Sequence, residues 1–309
     1  MDYLVTGGAG FIGSNLVKRL VKEGHKVTVI DDLSTGKREN LIDDVVFYEK
    51  NICDNLSDIF KNRFDAVFHL AALPRVQFSI KEPVKTNNAN INGTLNLLNF
   101  CRNFKVKRFV FSSSSSVYGD QEELPLNEGM IANPLSPYAL QKLVGEVYCK
   151  LFNSLYGLET VGLRYFNVYG PGQDPEGDYA GLIPKFIRLI NESVSPVIYG
   201  DGEQTRDFSF VSDVVEANIL AANVESGFGE VFNVGGGNNV SVNGVTKLIL
   251  KFSGKNVDVI HGEPVVEARH SLADVGKSKR ILSWEPKVKF EDGLKKTYEY
   301  FTNQNINSL

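Results

Sequence analysis

The stretch Thr6-Gly-Gly-Ala-Gly-Phe-Ile-Gly13 decides the fold of this chain of 309 residues. It follows an apolar run typical of a β-strand and precedes a segment with the apolar spacing of an amphipathic helix. Gly7 permits a tight turn, Gly10 lets the backbone approach a pyrophosphate, and Gly13 lets the helix pack closely on the strand. The helix N-terminus then faces the phosphates. The pattern predicts a dinucleotide-binding turn, with a merely structural glycine turn as the alternative.

An acidic residue, Asp31, closes the next strand-like run, 18 residues after Gly13. A carboxylate at this place accepts hydrogen bonds from the ribose hydroxyls of an adenosine, which favours NAD as the cofactor. Lys37 and Arg38 keep NADP open as the alternative, although the Asp31 charge repels a 2′-phosphate.

Apolar strand-like runs alternate with segments of helical spacing through the first half of the chain. The predicted strands cover residues 3–5, 26–30, 45–48, 66–70, 108–112 and 160–166. The predicted helices cover residues 11–23, 54–61, 84–103 and 136–156. Several strands are apolar on both faces and need cover on both sides. The pattern therefore predicts an α/β fold with a doubly wound, Rossmann-type parallel sheet.

The spacing of glycine and proline residues along the chain changes after about Asn167. Gly-Pro-Gly at 170–172 and the glycines at 200, 202 and 235–237 separate shorter elements. We expect an NAD-binding domain over residues 1–167, to which a segment of about 207–234 returns. Residues 168–309 are expected to form a second, smaller α/β substrate lobe.

Composition and charge exclude several classes of protein. The chain is 42% hydrophobic and 23% charged with a net charge of −4, so it is not disordered and has no basic field to attract nucleic acid. An odd number of scattered cysteines favours free thiols in a reducing cytoplasm: Cys53, Cys101 and Cys149. The beginning of the chain resembles neither a signal peptide nor a membrane span. No metal is expected, because no ligand spacing relates the histidines at 25, 69, 261 and 270.

The segment Ser136-Pro-Tyr-Ala-Leu-Gln-Lys142 predicts the start of a helix. Ser136 suits the N-cap and proline the first helical position, so Tyr138 and Lys142 lie one above the other, four residues apart. A nearby ammonium, a nicotinamide cation and the helix N-terminus would each favour the phenolate, and we expect them to lower the phenol pKa. The alternative is a surface tyrosine beside a solvated lysine.

Five serines, 112 to 116, follow the strand-like run 108–112. The carboxyl edge of a parallel sheet is where ligands bind in this architecture. A hydroxyl at the end of the run, within reach of Tyr138, completes a donor set around a substrate oxygen. Ser112, Ser113 and Ser116 are expected to be small polar residues at a strand end and no more.

These motifs, in this order, resemble the extended short-chain dehydrogenase/reductase family. The resemblance runs almost end to end and includes Phe68-His-Leu-Ala-Ala72, Asn90-Ile-Asn-Gly-Thr94, Ser114-Ser-Ser-Val-Tyr-Gly119, Arg164-Tyr-Phe-Asn-Val168, Gly202-Glu-Gln-Thr-Arg-Asp207 and Arg269-His-Ser-Leu-Ala-Asp274. Within the family the chain is most similar to the UDP-hexose 4-epimerases, and among those to the group that handles N-acetylated sugars.

The resemblance implies roles for individual residues. Ser114, Tyr138 and Lys142 match the catalytic residues, with Tyr138 as the base. Further matches to cofactor-binding positions are Phe11, Ile12, Asp32, Leu33, Ser34, Thr35, Gly36, Asn51, Ile52, Leu70, Ala71, Ala72, Asn90 and Tyr165. Matches to substrate-binding positions are Ser115, Asn167, Leu182, Ile198, Tyr199, Arg206, Arg269 and Ser271. The implied partners are a UDP-sugar, tightly bound NAD and a second copy of the chain, through helices 84–103 and 136–156.

The implied activity is inversion at C4 of a UDP-hexose through a transient 4-keto sugar. Ser271 matches a position where a bulky residue excludes an N-acetyl group, so a serine leaves room; a surface serine without a role is the alternative. Arg206 paired with Asp207 at the surface is the alternative to a diphosphate contact. Related dehydratases, decarboxylases and uronate epimerases, and a non-catalytic NAD-binding protein, remain open as functions.

Three positions depart from the family pattern. Gln141 replaces a small hydroxyl residue before Lys142, and Asn51 stands where an aspartate often meets the adenine. The segment 263–267 lacks an arginine that many relatives use on the diphosphate, and Arg269 is the candidate to replace it.

Overall fold

The central sheet of this computed structural model is built from seven strands, and the structure describes residues 1–176, 180–265 and 268–306. The strands in chain order are β1 Asp2–Thr6, β2 Lys26–Asp31, β3 Val46–Glu49, β4 Ala66–His69, β5 Arg108–Ser114, β6 Glu159–Tyr165, β7 Val168–Tyr169, β8 Val197–Tyr199, β9 Thr205–Arg206, β10 Ser209–Phe210, β11 Glu230–Val234, β12 Val240–Ser241 and β13 Ile260–Gly262. The helices are α1 Phe11–Lys22, α2 Ser57–Phe60, α3 Val76–Lys81, α4 Pro83–Asn87, α5 Gly93–Asn103, α6 Pro137–Tyr156, α7 Leu182–Asn191, α8 Val211–Asn223, α9 Val242–Ser253, α10 Gly276–Leu282 and α11 Phe290–Ile306.

The sheet has the order β11-β6-β5-β4-β1-β2-β3, and all neighbours pair in parallel. The chain runs from β1 outward through β2 to β3 and then crosses to β4 on the other side of β1. Between β1 and β4 the strand order therefore reverses, which opens a crevice at the carboxyl ends of the strands. The predicted doubly wound α/β fold is confirmed, and every predicted strand is present with ends shifted by no more than two residues.

Helices cover both faces of the sheet because its strands are apolar on both. On one face, α1 and α8 bury Leu16, Leu20 and Val214 against the sheet. On the other, α2, α5 and α6 bury a cluster that contains Leu97 and Phe152. The segment that carries α8 and β11 therefore packs with the first-half sheet rather than with the elements around it in sequence.

One predicted helix is wrong in detail. The segment 84–103 was expected to be continuous, but it consists of α4, a single π-helical stretch Asn88–Asn92, and α5. Such π-bulges occur mostly at functional sites. Asn90 lies at the centre of this one.

Helices α7, α9 and α11 form a second core with Phe186, Val245 and Leu294. Three short two-stranded ladders accompany them: β7 with β10, β9 with β12, and β8 with β13. In the part of the chain that the structure describes, no helix is long and apolar enough to cross a membrane.

Candidate active site

A cavity of about 1490 Å³ occupies the crevice. The predicted cofactor residues that line it are Gly7, Gly10, Phe11, Ile12, Gly13, Asp31, Asp32, Leu33, Ser34, Thr35, Gly36, Asn51, Ile52, Leu70, Ala71, Ala72, Tyr138, Lys142 and Tyr165. Asn90 is the exception and is buried behind the wall. Residues that were predicted from separate parts of the sequence thus meet around one space.

The glycine turn approaches its neighbours too closely for side chains. Gly7 has φ +72°, and a Cβ on it would lie 2.6 Å from the backbone nitrogen of Ala71. A Cβ on Gly13 would lie 2.1 Å from the Gly7 carbonyl oxygen. Real Cβ atoms do not approach backbone atoms this closely, so both positions require glycine. The turn and the N-terminus of α1 form the cradle expected for a pyrophosphate.

Asp31 is held at the end of β2 by two backbone N–H groups. Ala9 donates to its Oδ2 and Leu33 to its Oδ1, both at 2.9 Å. Burial raises the pKa of the carboxyl, and these two hydrogen bonds oppose the shift. A carboxylate has further lone pairs, so Asp31 can still accept from ribose hydroxyls. The side chain of Asn51 donates to the neighbouring Asp32 at 2.7 Å, which fixes the rim of the same pocket.

Helix α6 begins as the sequence predicts. The Ser136 hydroxyl accepts from the backbone N–H of Ala139 at 3.2 Å, and Pro137 occupies the first helical position. Tyr138 and Lys142 are both buried, at 8% and 4% exposure, so the alternative of a solvated surface pair is wrong. The backbone N–H of Tyr138 donates to the Ser79 hydroxyl on α3 at 3.1 Å.

The Ser114 hydroxyl lies near the Tyr138 phenol and acts to lower its pKa. Ser114 ends β5 and caps the following 3₁₀ turn, Ser115–Tyr118, by accepting from the backbone N–H of Ser116 at 3.2 Å. The Ser116 hydroxyl donates to Ser114 Oγ at 2.9 Å. The cap fixes the Ser114 side chain and so orients the pair.

The pKa of Tyr138 is raised to about 12 rather than lowered, in contrast to the expectation from sequence. Burial is the main cause, and the nearby Ser114 hydroxyl and the Arg75 charge oppose it. The protein's own groups therefore keep the phenol protonated at neutral pH. The side-chain charge that lowers the pKa of Tyr138 is that of Arg75, a residue that the sequence analysis does not identify.

Lys142 connects α6 to the strand that carries the serines. Its Nζ donates to the carbonyl oxygen of Ser112 at 2.7 Å and lies 5.9 Å from the centroid of the Tyr138 ring. Burial lowers the pKa of Lys142 to about 8, and the Glu146 charge opposes this shift. One turn further on, Glu146 accepts from the Ser113 hydroxyl at 2.5 Å and forms a buried, two-pronged ion pair with Arg164. Ser112 and Ser113 thus hold Lys142 and Glu146 of α6 by hydrogen bonds, whereas the sequence predicted only small polar residues at a strand end.

Asn90 and Gln141 tie the π-helical segment to α6. The Asn90 carboxamide accepts from the Leu73 backbone N–H at 2.8 Å and donates to Gln141 Oε1 at 2.7 Å. Gln141 in turn donates to the Thr86 hydroxyl at 3.0 Å. A small hydroxyl residue at 141 would be too short for both contacts, so this departure from the family pattern has a structural use.

Most of the predicted substrate residues do not line the cavity. Asn167 lies two residues beyond the end of β6, with φ +26°, and its Nδ2 donates to the Asp207 carbonyl at 3.2 Å. Leu182 begins α7 and packs against the second core, and Ile198 is buried in that core. Tyr199 is half exposed, and Ser115 begins the 3₁₀ turn. The last three predicted substrate residues lie on facing segments of the second lobe.

Those three residues are Arg206, Arg269 and Ser271. The Arg206 Nη1 donates to the Arg269 carbonyl at 3.2 Å, and the Ser271 backbone N–H donates to the Thr205 carbonyl at 3.2 Å. Arg269 itself is exposed, and its Nη2 lies 2.6 Å from Asp201 Oδ2.

Two alternatives from the sequence are wrong. Asp207 is fully buried and accepts from backbone N–H groups, including those of Gly236 at 2.7 Å and Ala273 at 2.9 Å, so it is not a surface partner of Arg206. Ser271 is 8% exposed, and its hydroxyl accepts from the Asp207 backbone N–H at 3.3 Å, so it is not a surface serine.

Comparison with known proteins identifies the family. The model of the NAD dependent epimerase/dehydratase family matches residues 3–235. A putative UDP-glucose 4-epimerase of Methanocaldococcus jannaschii is 40% identical over 98% of this chain and 99% of its own. The structure of UDP-glucose 4-epimerase with UDP-glucose from Thermotoga maritima has a TM-score of 0.96 and 43% identity, covering 99% of this chain and 100% of its own. UDP-N-acetylglucosamine 4-epimerase of Methanobrevibacter ruminantium, in complex with UDP-N-acetylmuramic acid, has a TM-score of 0.93 and 42% identity, covering 98% of both chains.

The glycine cradle, the Asp31 carboxylate and the Tyr138–Lys142 pair fit the cofactor that the family model names. The chain therefore belongs to the NAD-dependent epimerase/dehydratase family, among the UDP-sugar epimerases of the extended short-chain dehydrogenases/reductases, and its cofactor is NAD.

Proposed function

We propose that the protein inverts C4 of a UDP-hexose, interconverting UDP-glucose with UDP-galactose and the corresponding N-acetylated pair. The observation that carries the proposal is the buried Tyr138 phenol, which lines the same cavity as the cofactor residues and lies close enough to the Ser114 hydroxyl for that hydroxyl to act on its pKa. A phenol paired with a hydroxyl in a dry cleft suits proton transfer to and from a sugar hydroxyl.

Each residue of the pair has a defined task. Because the protein alone keeps the phenol protonated, the positive charge of bound NAD would be needed to favour the Tyr138 phenolate. In that form Tyr138 would take the proton of the sugar 4-hydroxyl and return it later, while the Ser114 hydroxyl hydrogen-bonds the same oxygen. NAD, when bound, brings a positively charged ring and takes up and gives back the C4 hydrogen as hydride. The Lys142 ammonium has three N–H donors and uses one on Ser112, which leaves donors for groups in the cavity.

Inversion requires the nucleotide to be held more firmly than the sugar. We assign Asn167, Arg206 and Arg269 to the diphosphate, and Leu182, Ile198 and Tyr199 to the surroundings of the uridine. A guanidinium suits phosphate oxygens because its N–H groups form paired, charge-assisted hydrogen bonds. The 4-keto sugar then turns about its link to the diphosphate and presents its other face before the hydrogen returns.

One assay tests the proposal. The purified protein, with no nucleotide cofactor added, is incubated separately with UDP-glucose, UDP-N-acetylglucosamine and UDP-glucuronate, and the 4-epimers are resolved chromatographically. We expect UDP-galactose and UDP-N-acetylgalactosamine to appear. If none of the three 4-epimers forms with a protein that retains NAD, the proposal is wrong.

The alternative function for the same site is that of a dehydratase or decarboxylase of this family. Such enzymes typically carry an acidic residue close after the catalytic hydroxyl, whereas Ser115 and Ser116 stand there. The Ser116 hydroxyl is engaged with Ser114 and supplies no base of its own. The site therefore favours epimerisation, and a 4,6-dehydrated or decarboxylated product in the same assay would reverse this choice.

Ser271→Tyr is expected to suppress turnover of UDP-N-acetylglucosamine by at least about 100-fold relative to UDP-glucose. Ser271 is buried, so a Tyr ring placed there must extend beyond the volume of the serine, and in a sugar pocket its steric exclusion acts on the larger sugar. The kcat/KM of both sugars is measured, with Ser271→Ala as the control that removes the hydroxyl bond to Asp207 without adding bulk. Equal losses on both sugars would refute the role of Ser271 in the sugar pocket.

We further propose that the protein is a cytoplasmic homodimer. Four large apolar side chains form one exposed stripe on α6: Leu140, Val147, Leu151 and Leu155. Their spacing places them on one helix face, and such a contiguous apolar surface marks an interface.

Leu151→Glu is expected to raise the dimer dissociation constant by at least about 100-fold, since a buried charge without a partner opposes association. Analytical ultracentrifugation measures the effect. Val46→Glu changes an equally exposed apolar residue on the edge strand β3 and is expected to leave the dimer intact. A wild-type protein that sediments as a monomer at micromolar concentration would contradict the assignment.

A further inference from the structure

Arg75 is a cation in the cavity that takes no part in the proposed transfer of the proton and the hydride. It lies six residues beyond the end of β4, on the residue before α3, and lines the cavity together with Tyr138. Within residues 1–176, 180–265 and 268–306, no hydrogen bond or ion pair engages its guanidinium. Its interactions are electrostatic, with Asp174 and with the Tyr138 phenol.

A guanidinium that lines a cleft and has neither a hydrogen bond nor an ion pair is unusual. Burial lowers the pKa of Arg75, because the cleft removes water from the charged group, and neither Asp174 nor Tyr138 is close enough for a salt bridge or a hydrogen bond. Arg75 is only partly buried, yet an arginine that lines a cleft usually has a partner for its N–H groups. Such groups in clefts are frequent at functional sites, where a ligand completes the set of hydrogen bonds.

The backbone around Arg75 is fixed to the catalytic helix from two sides. On one side, Leu73 exchanges hydrogen bonds with the Asn90 carboxamide, at 2.8 Å to the N–H and 3.2 Å to the carbonyl. On the other, the Arg75 carbonyl accepts from the Ser79 backbone N–H at 2.9 Å, and Ser79 Oγ accepts from the Tyr138 backbone N–H. The segment is therefore held against α6, and Arg75 lines the cavity together with Tyr138, beside which the proposed function places the sugar.

The charges at that end of the cavity are mainly positive. Lys142 Nζ lies 5.9 Å from the centroid of the Tyr138 ring, Arg75 interacts electrostatically with the Tyr138 phenol, and Tyr165 adds a neutral phenol. The one carboxylate that acts on Arg75, that of Asp174, lies 3.7 Å from the Lys37 ammonium, which offsets its charge. A ligand group with negative charge is thus favoured here over a neutral one.

We propose that Arg75 binds a carboxylate on the sugar of the substrate, so that a UDP-hexose bearing a carboxylate binds more tightly than its neutral counterpart. The guanidinium matches a carboxylate because two parallel N–H groups meet its two oxygens. This inference rests on the proposed function, since it places the sugar beside Tyr138. It deepens that function by assigning a charge preference to the sugar subsite.

The test measures binding in a Tyr138→Phe holoenzyme, so that turnover does not interfere. Isothermal titration calorimetry compares two matched pairs: UDP-glucuronate against UDP-glucose, and UDP-N-acetylmuramate against UDP-N-acetylglucosamine. The carboxylate replaces the C6 hydroxymethyl group in the first pair and is added through an ether at O3 in the second, so the two pairs distinguish where on the sugar it sits. We expect at least one pair to favour the carboxylate by about tenfold or more.

Arg75→Gln is expected to abolish that preference, while Lys85→Gln, which removes another cation from the same cavity wall, leaves it within about twofold. Arg75→Lys keeps a charge but not the paired geometry and is expected to retain part of the preference. Arg75→Lys also replaces Arg75→Gln as the test variant if the Arg75→Gln protein fails to fold or to retain NAD. Absence of a preference in both pairs, or a preference unchanged by Arg75→Gln, overturns the proposal. If the neutral sugars bind and are epimerised in that case, the proposed function stands and only the role of Arg75 falls.

Discussion

Tyr138→Phe is expected to lower kcat for C4 inversion by about 10²- to 10⁴-fold while the protein retains its NAD. The phenylalanine ring fills the same buried space, so the loss reflects the missing hydroxyl. Without the phenol, Ser114 is left with no neighbouring group that accepts the proton of the sugar 4-hydroxyl. Initial rates of 4-epimer formation and the NAD released on denaturation are measured together.

Tyr148→Phe is the matched control for this substitution. Tyr148 lies on the same helix, ten residues further along, and packs against the core under the sheet. It is expected to leave kcat within about twofold of the wild-type value. Undiminished turnover in the Tyr138→Phe protein would show that the proton goes elsewhere.

Lys142→Met is expected to reduce kcat by at least about 10²-fold and, unlike Tyr138→Phe, to reduce the NAD that remains bound after purification. The substitution removes a charged donor from the cavity wall and leaves the Ser112 carbonyl without its 2.7 Å partner. Hydrogen bonds that involve a charged group contribute about 1.5–3 kcal/mol each, so the loss of the bond to Ser112 and of one that Lys142 makes to the bound cofactor accounts for a 100-fold effect.

The difference between the two variants separates their roles. Cofactor content is measured by absorbance after denaturation, and activity is measured with and without added NAD. We expect added NAD to recover part of the activity of Lys142→Met and none of that of Tyr138→Phe. A Lys142→Met protein with full NAD content and full activity would contradict the assignment of Lys142.

The sequence predicts the first half of the fold well because its signals are local. The glycine turn, the apolar strands and the Ser136-Pro cap each depend on a few adjacent residues, and the structure reproduces them closely. Strand β11 is different, since its partner β6 ends 65 residues earlier in the chain. Its place in the sheet depends on packing of α8 against the sheet, which no local pattern indicates.

Two features of the site were beyond the sequence for physical reasons. The π-helical stretch at Asn90 depends on hydrogen bonds to Leu73 and Gln141 from distant segments, so helical periodicity does not reveal it. The pKa of Tyr138 depends on burial by the assembled cleft, which outweighs the charges that the Tyr-x-x-x-Lys spacing suggests. One sequence feature could have identified Arg75 as a site residue: it follows the end of β4, at the edge of the sheet where ligands bind.

The most direct measurement follows a deuterium label at C4 of UDP-glucose. If C4 is inverted by oxidation and reduction, the hydrogen removed from C4 stays within the same site and returns to the opposite face of the same carbon. We predict that UDP-galactose formed without added cofactor retains the label at C4, with no exchange into solvent. UDP-galactose that has lost the deuterium to water would contradict this mechanism, because it would show that C4 is inverted by proton exchange rather than by oxidation and reduction within the site.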